Sequence, residues 1–315
     1  MDKLAKIQPE LERVLGGLEE FISGAPAKLR DASTPAAHRI RKDAVCYLRE
    51  KSNNRNSFFH AVEAIITETA NDFSHEDKKA FRRILMARLA MDLPDLVRGM
   101  NLPASIIDLY PGAMARLLNH LKNNDKNPYD LSDDFFLKDL SFVSGGTVPC
   151  GAQVVDLASY FLFKSVIRAL TRSGNINSVI SLYKSGGSGP WFRIHTESRY
   201  LDEFNKEGWE SCYKKIAEML KSEKDILGMI GTSWFYDPQI LKISPRLSYL
   251  QAQPVENGAF MIRHGTTRLD IERTTMKSNT RRKLYEEGKY IPASFTLFWP
   301  RQSLLNWAES TTVSK

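Results

Sequence analysis

The residue types with the most explicit chemistry are two histidines and a carboxylate. His195, Glu197 and His264 form an HxE…H set. Such a set can hold Fe(II) on one face and leave coordination positions open. Arg268 and Arg273 follow the second histidine. Their guanidinium forks would clamp an acidic cosubstrate such as 2-oxoglutarate. An Fe(II)/2-oxoglutarate-type oxygenase is therefore one expectation. Against it, the residues after Glu197 read as a long helix, whereas that site is built on jelly-roll strands. The simpler expectation is that both histidines are hydrogen-bonded at strand positions.

A second constellation is basic. The run KSNTRRKLYEEG, from Lys277 to Gly288, opens with Lys277, Ser278, Asn279, Thr280, Arg281 and Arg282. It reads as the start of a helix. Unpaired N–H groups and the dipole at a helix N-terminus favour anions, not cations. A helix that nevertheless begins with cations suits a bound phosphate. The strand before it ends in Arg263-His264-Gly265, and Gly265 lets backbone approach a ligand closely. Arg263, Gly265, Lys277, Arg281 and Arg282 are the expected phosphate contacts. From Leu241 to Lys315 there are 12 Lys+Arg against 6 Asp+Glu, so this quarter carries +6 of the net +7. The excess suits a phosphorylated small molecule, a tRNA or an acidic partner. A non-enzymatic nucleic-acid- or protein-binding module is the corresponding alternative.

Other candidates are weaker. Trp234, Phe235, Tyr236 and Asp237 end an apolar run, and an aromatic platform there would have Ser233, Tyr236 and Asp237 as its polar contributors. His60 and Glu63 share a helix face, with Glu68 further along it. That spacing ligates metal in helical bundles, but the companion ExxH is absent. The loop SGGSG, Ser185 to Gly189, lacks the GxxxxGK[ST] pattern and reads as a linker. Cys150 lies among turn residues with no identifiable base and reads as a structural thiol.

The elements that must position these residues change character along the chain. Residues 1–125 show apolar residues at three- and four-residue steps and read as a helical domain. Ser57 and Ser74 stand where helix caps belong. Residues 126–140 are polar and turn-rich and read as a linker. Residues 141–315 alternate strand-length apolar runs with turn signals and helices. The expected fold class is α+β, a helical domain followed by a mixed sheet with flanking helices. The expected strands include 191–196, 226–236, 241–250, 258–264 and 293–299, with helices over 199–221, 274–287 and 302–309. At 315 residues the chain can bury a large core. No apolar run reaches the roughly 18 residues of a membrane span. Three widely spaced cysteines suit a reduced, cytoplasmic setting without a membrane partner.

The order strand, strand, strand, basic helix, strand, helix over residues 226–309 resembles the core of the GNAT-type N-acyltransferase superfamily. In that superfamily a helix N-terminus holds the pyrophosphate of acyl-CoA. The resemblance spans about 110 residues and rests on element order and a basic helix start; the stretch in the place of the family's glycine-containing loop, IERTTMKSNTRRKL, has no glycine. It implies acyl transfer from acyl-CoA, or from aminoacyl-tRNA, to an amine. It further implies phosphate held near 277–282, with Tyr285 or Tyr290 as general acid. Asp237, at the end of the first of these strands, is a further catalytic candidate.

Overall fold

A computed structural model describes residues 3–50, 55–123, 129–160, 176–197, 199 and 201–313. The chain is α+β and divides into two compact units, Met1–Pro149 and Cys150–Lys315.

The first unit is helical. Its elements are α1 (Gln8–Ser23), α2 (Ala27–Ala44), α3 (Arg55–Thr69), α4 (His75–Met91), α5 (Leu93–Arg98), α6 (Ala104–Ile107), α7 (Tyr110–Lys122) and α8 (Asp134–Val143). The centre is α4, whose Phe81, Ile84, Leu85 and Leu89 are buried and against which α1, α2, α7 and α8 pack. Ser74 caps α4 by accepting from the Asp77 N–H at 3.1 Å, as expected. Ser57 lies inside α3 rather than at its cap. The expected linker at 126–140 does not hold from Asp134 onward. Asp133 accepts from the Phe135 N–H at 3.0 Å and starts α8, which buries Phe136 and Leu140. The polar residues read as linker there are a capping turn.

The second unit is built on a mixed sheet. Strand β1 (Thr147–Pro149) falls at the end of the first unit; β2 (Gln153–Ser159), β3 (Trp191–Thr196), β4 (Gly228–Ser233), β5 (Phe260–Gly265) and β6 (Ser294–Pro300) of the second lie in the order β2-β3-β4-β6-β5. Strands β3 and β4 run parallel, while β2 with β3, β4 with β6 and β5 with β6 are antiparallel. The helices are α9 (Ile176–Lys184), α10 (Lys206–Ser222), α11 (Ile240–Ile243), α12 (Tyr249–Glu256), α13 (Arg268–Thr275), α14 (Asn279–Glu286) and α15 (Arg301–Val313). The crossover from β3 to β4 is α10, since a parallel pair needs such a connection. Side chains alternate between the two faces of the sheet. One face packs Trp191, Ile230, Ile262 and Phe298 against Leu182 of α9. On the other face, Trp209 and Tyr213 of α10 join Trp299 of β6 and Trp307 of α15 in edge-on and tilted ring contacts.

Several expected elements change on folding. Residues 241–250 are helical, not a strand: α11, a short turn at Pro245–Leu247 and the start of α12. Ile240, Ile243, Leu247 and Leu250 recur at steps of three and four, which is a helix period. The run 226–236 is a strand only over Gly228–Ser233, followed by one tight helical turn, Trp234–Tyr236. The basic helix expected over 274–287 is two helices, broken where Ser278 accepts from the Arg281 N–H at 3.3 Å and begins α14. The helix expected from 199 starts at Lys206, capped by Asn205 on the Gly208 N–H at 2.8 Å. Gly208 lets this helix start pack closely against Glu203. A Cβ there would lie 2.1 Å from the Glu203 carbonyl oxygen. The apolar run 159–174 falls almost entirely outside the described residues.

Candidate functional site

Past the apolar patch under α9, the same sheet face turns polar. The last register pair of the parallel strands is Ile194 with Gly231. His195 and Thr232 come one residue later on each strand, so they are lateral neighbours roughly one strand spacing of ~4.8 Å apart. Thr232 pairs directly with Thr296 of β6. Their hydroxyls are 2.7 Å apart. Thr296 Oγ1 is in turn 2.5 Å from His264 Nε2 on β5. On the other side, His195 Nε2 lies 2.8 Å from Asp156 Oδ2 of β2. The result is a polar row across five strands: Asp156, His195, Thr232, Thr296, His264.

Access varies along the row. Asp156 and Thr296 are buried, Thr232 is exposed, and the His195 side chain is 31% exposed. A buried carboxylate bonded to a reachable imidazole fixes the orientation of the ring. Strands β3 and β4 end here, β5 ends here, and β6 begins here. The α13–α14 hairpin follows directly from β5. It is tied back to β6 by Ser294 on Asp270 and by Thr266 on the Pro292 carbonyl at 2.7 Å. Arg273, Lys277 and Arg282 are exposed on this hairpin.

A second polar cluster lies just beyond β4, and it gathers four of the residues expected from sequence. Asp237 accepts from the Gln239 N–H at 3.0 Å, the Ala293 N–H at 3.2 Å and the Tyr290 hydroxyl at 3.3 Å. Arg281 donates to the Thr274 carbonyl at 2.7 Å and the Ser244 hydroxyl at 3.0 Å, with its guanidinium 4.7 Å above the Trp234 ring. Asp237, Tyr290 and Arg281 are 2%, 1% and 4% exposed. Burial pushes the Asp237 carboxyl above its ordinary range, against the opposing pull of the Gln239 and Ala293 N–H groups, the Tyr290 hydroxyl and Arg263. Burial, then the Asp237 charge, pushes the Tyr290 hydroxyl up as well. Burial also disfavours the charge on Arg281.

The other expected residues are dispersed. Tyr285 is 37% exposed. Lys277 and Arg282 are exposed, with Arg282 donating to the Met276 carbonyl at 3.1 Å. Gly265 takes a φ of 129°, at an irregularity in the β5–β6 register, a conformation that favours glycine. His195, Glu197 and His264 do not converge. Three strand spacings separate β3 from β5, about 14 Å, whereas two nitrogens on one metal lie within about 4 Å of each other. Glu197 is instead held by Arg199 at 2.7 Å. Among the described residues no group of three or more His, Cys, Asp or Glu side chains is placed to hold a metal ion. In the first unit, His60 and Glu63 are exposed and 3.7 Å apart at the rim of an apolar groove, while Glu68 pairs with Arg39. Cys150 is fully buried, with its thiol on the Cys212 carbonyl at 3.4 Å.

Three residues of the row escape a reading of the sequence. Asp156 leaves a trace, a charge inside the apolar strand QVVDLAS. Thr232 and Thr296 leave none, since threonine is ordinary in strands. Among the described residues no helix is long and apolar enough to cross a membrane. No family model matches the chain, and neither does any curated protein or solved structure.

Proposed function

We propose that the second unit is an enzyme that transfers an acyl or aminoacyl group to an amine, with His195 as general base. The observation that carries this reading is the 2.8 Å bond between buried Asp156 and partly exposed His195 at the carboxyl end of a parallel strand. Ligands of open sheets gather outside the carboxyl ends of parallel strands. An amine attacking an acyl carbon must lose a proton, and an imidazole braced by a carboxylate takes one. The exposed cations Arg273, Lys277 and Arg282, at the same end of the sheet, would attract a phosphorylated carrier, acyl-CoA or aminoacyl-tRNA. In this reading Arg281 and Tyr290 hold the scaffold, and neither contacts the carrier.

The test is thiol release from acetyl-CoA in the presence of a panel of amines, with charged tRNA as a second donor. His195→Gln is expected to reduce transfer by roughly 10²- to 10⁴-fold, with an unchanged melting temperature. Absence of transfer from both donors to every amine defeats the proposal. The exposed cations also favour a second reading, phosphate-backbone binding without catalysis. It predicts affinity for RNA that falls steeply with salt and does not depend on His195.

A further inference from the structure

We infer that Thr232 is a nucleophile, activated through Thr296 by His264. Cross-strand threonine pairs are common sheet contacts. This pair differs because it is extended at 2.5 Å to an imidazole and because the burial is graded along it. Thr296 is 0% exposed and touches hydroxyl on one side and imidazole on the other, so it can only pass a proton on. Thr232 is exposed at the open end. On this face Trp191, Ile230, Ile262 and Phe298 are apolar, and Arg193 of β3 stands among them in register with Ile230 and Asp156. A hydroxyl is a weak nucleophile until a base takes its proton, directly or through an intervening group.

The chemistry balances with the His264 proton on Nδ1. Thr232 Oγ1 attacks the acyl carbon of a donor, and the new C–O bond replaces the bond to the leaving group. The Thr232 proton passes to Thr296, whose own proton passes to His264 Nε2. The leaving group departs with its bonding electrons and takes up the proton that His264 acquired. An amine relieved of its proton by His195, one strand away, then attacks the Thr232 ester. Thr232 Oγ1 leaves and takes up the proton that His195 removed from the amine. The first half needs no amine. The second half rests on the proposed acyl transfer and gives it a covalent stage.

A fluorophosphonate tests the nucleophile without a natural substrate. Attack by Thr232 forms an O–P bond and expels fluoride, while the proton follows the relay. Peptide mass spectrometry of the full chain is expected to place the adduct on Thr232. Thr296→Val keeps the β-branched shape and removes the relay hydroxyl, and should slow labelling at least ~100-fold. Thr296→Ser restores the hydroxyl and should stay within a few-fold of wild type, separating a relay from a packing role. A wild-type chain without an adduct on Thr232, or a labelling rate unmoved by Thr296→Val, overturns the inference. Thiol release that survives in Thr232→Val also overturns it, while leaving His195 as the base of a direct transfer. Labelling without thiol release sinks the amine-transfer reading and leaves the nucleophile standing.

Discussion

The sheet-face row and the Asp237 cluster use the same materials, a carboxylate, hydroxyls and a nitrogen base or cation, near one end of one sheet. They differ in access. His195 and Thr232 reach solvent, while Asp237, Tyr290 and Arg281 are almost completely enclosed. Enclosure changes what the groups can do. Asp237 spends its oxygens on two backbone N–H groups and a hydroxyl, which joins the turn after β4 to the segment before β6. Arg281 ties α14 to the Thr274 carbonyl, Ser244 and Trp234. The sealed cluster is a latch that fixes the frame around the open row. A perturbed acid is therefore a guide to chemistry only where a substrate can reach it.

The comparison breaks if removing the latch abolishes turnover in chains that are still folded. Asp237→Ala leaves two N–H groups and a hydroxyl without an acceptor. Each buried unsatisfied group costs about 1–3 kcal/mol, so the loss should be about 3 kcal/mol or more by denaturant titration. Activity per folded molecule should fall far less than in His195→Gln. Arg281→Met comes next. It strips donors from the Thr274 carbonyl and Ser244 and removes the contact with Trp234, for a loss of about 2–3 kcal/mol. If Arg281→Met is as stable as wild type but fails to bind CoA, then Arg281 is a ligand contact and the latch reading is wrong.

How far these roles could be read from sequence depends on whether they are local. WFRIHT, FMIRHG and SFTLFWP are strands within a residue or two of expectation, because apolar alternation and turn signals are properties of neighbours in the chain. The 241–250 stretch turns on the same ground: its apolar residues suit a strand by composition, but they recur at steps of three and four, and the chain is helical there. Residue type alone marks Asp237, Tyr290 and Arg281 as catalytic or phosphate-binding candidates. The structure brings them together, but their burial depends on contacts 37 to 56 residues apart. The pairing of Thr232 with Thr296 spans 64 positions, and that of Asp156 with His195 spans 39. Register between distant strands is not written in either segment alone.

A smaller effect sharpens the contrast through pH. Asp237 has its carboxyl raised in the folded state, chiefly by burial. The folded chain therefore holds a proton that the unfolded chain has lost, across the window between the ordinary carboxylate range and the raised value. Within that window stability falls as pH rises. Asp237→Asn cannot ionise and should lose this slope. Denaturant midpoints from about pH 4 to about pH 8 should show wild type losing ground to Asp237→Asn as pH increases. Parallel curves would mean that the hydrogen bonds to Asp237 fully offset its burial.

The smallest expected effect on stability is at Arg282, one residue from Arg281 yet on the solvent side of α14. Arg281 points inward and Arg282 outward because adjacent helix positions are turned about 100° apart. The single bond from Arg282 to the Met276 carbonyl is exposed, and surface substitutions of this kind stay within about 0.5 kcal/mol. Arg282→Ala should leave the melting temperature unchanged. If the hairpin receives the phosphates of a carrier, the same substitution removes a charge-assisted hydrogen bond. Such a bond contributes roughly 1.5–3 kcal/mol, which corresponds to a tenfold to hundredfold loss of affinity. Calorimetric titration with CoA at two salt concentrations measures both the loss and its electrostatic origin, since contacts to exposed phosphates weaken as salt rises. Equal CoA affinity in wild type and Arg282→Ala would remove this arginine from the carrier site. Affinity lost in Arg282→Ala but insensitive to salt would mean that the contact is not electrostatic. A loss that shrinks with salt, together with an unshifted melting temperature, would place the carrier on the outer side of α14 and the latch on its inner side.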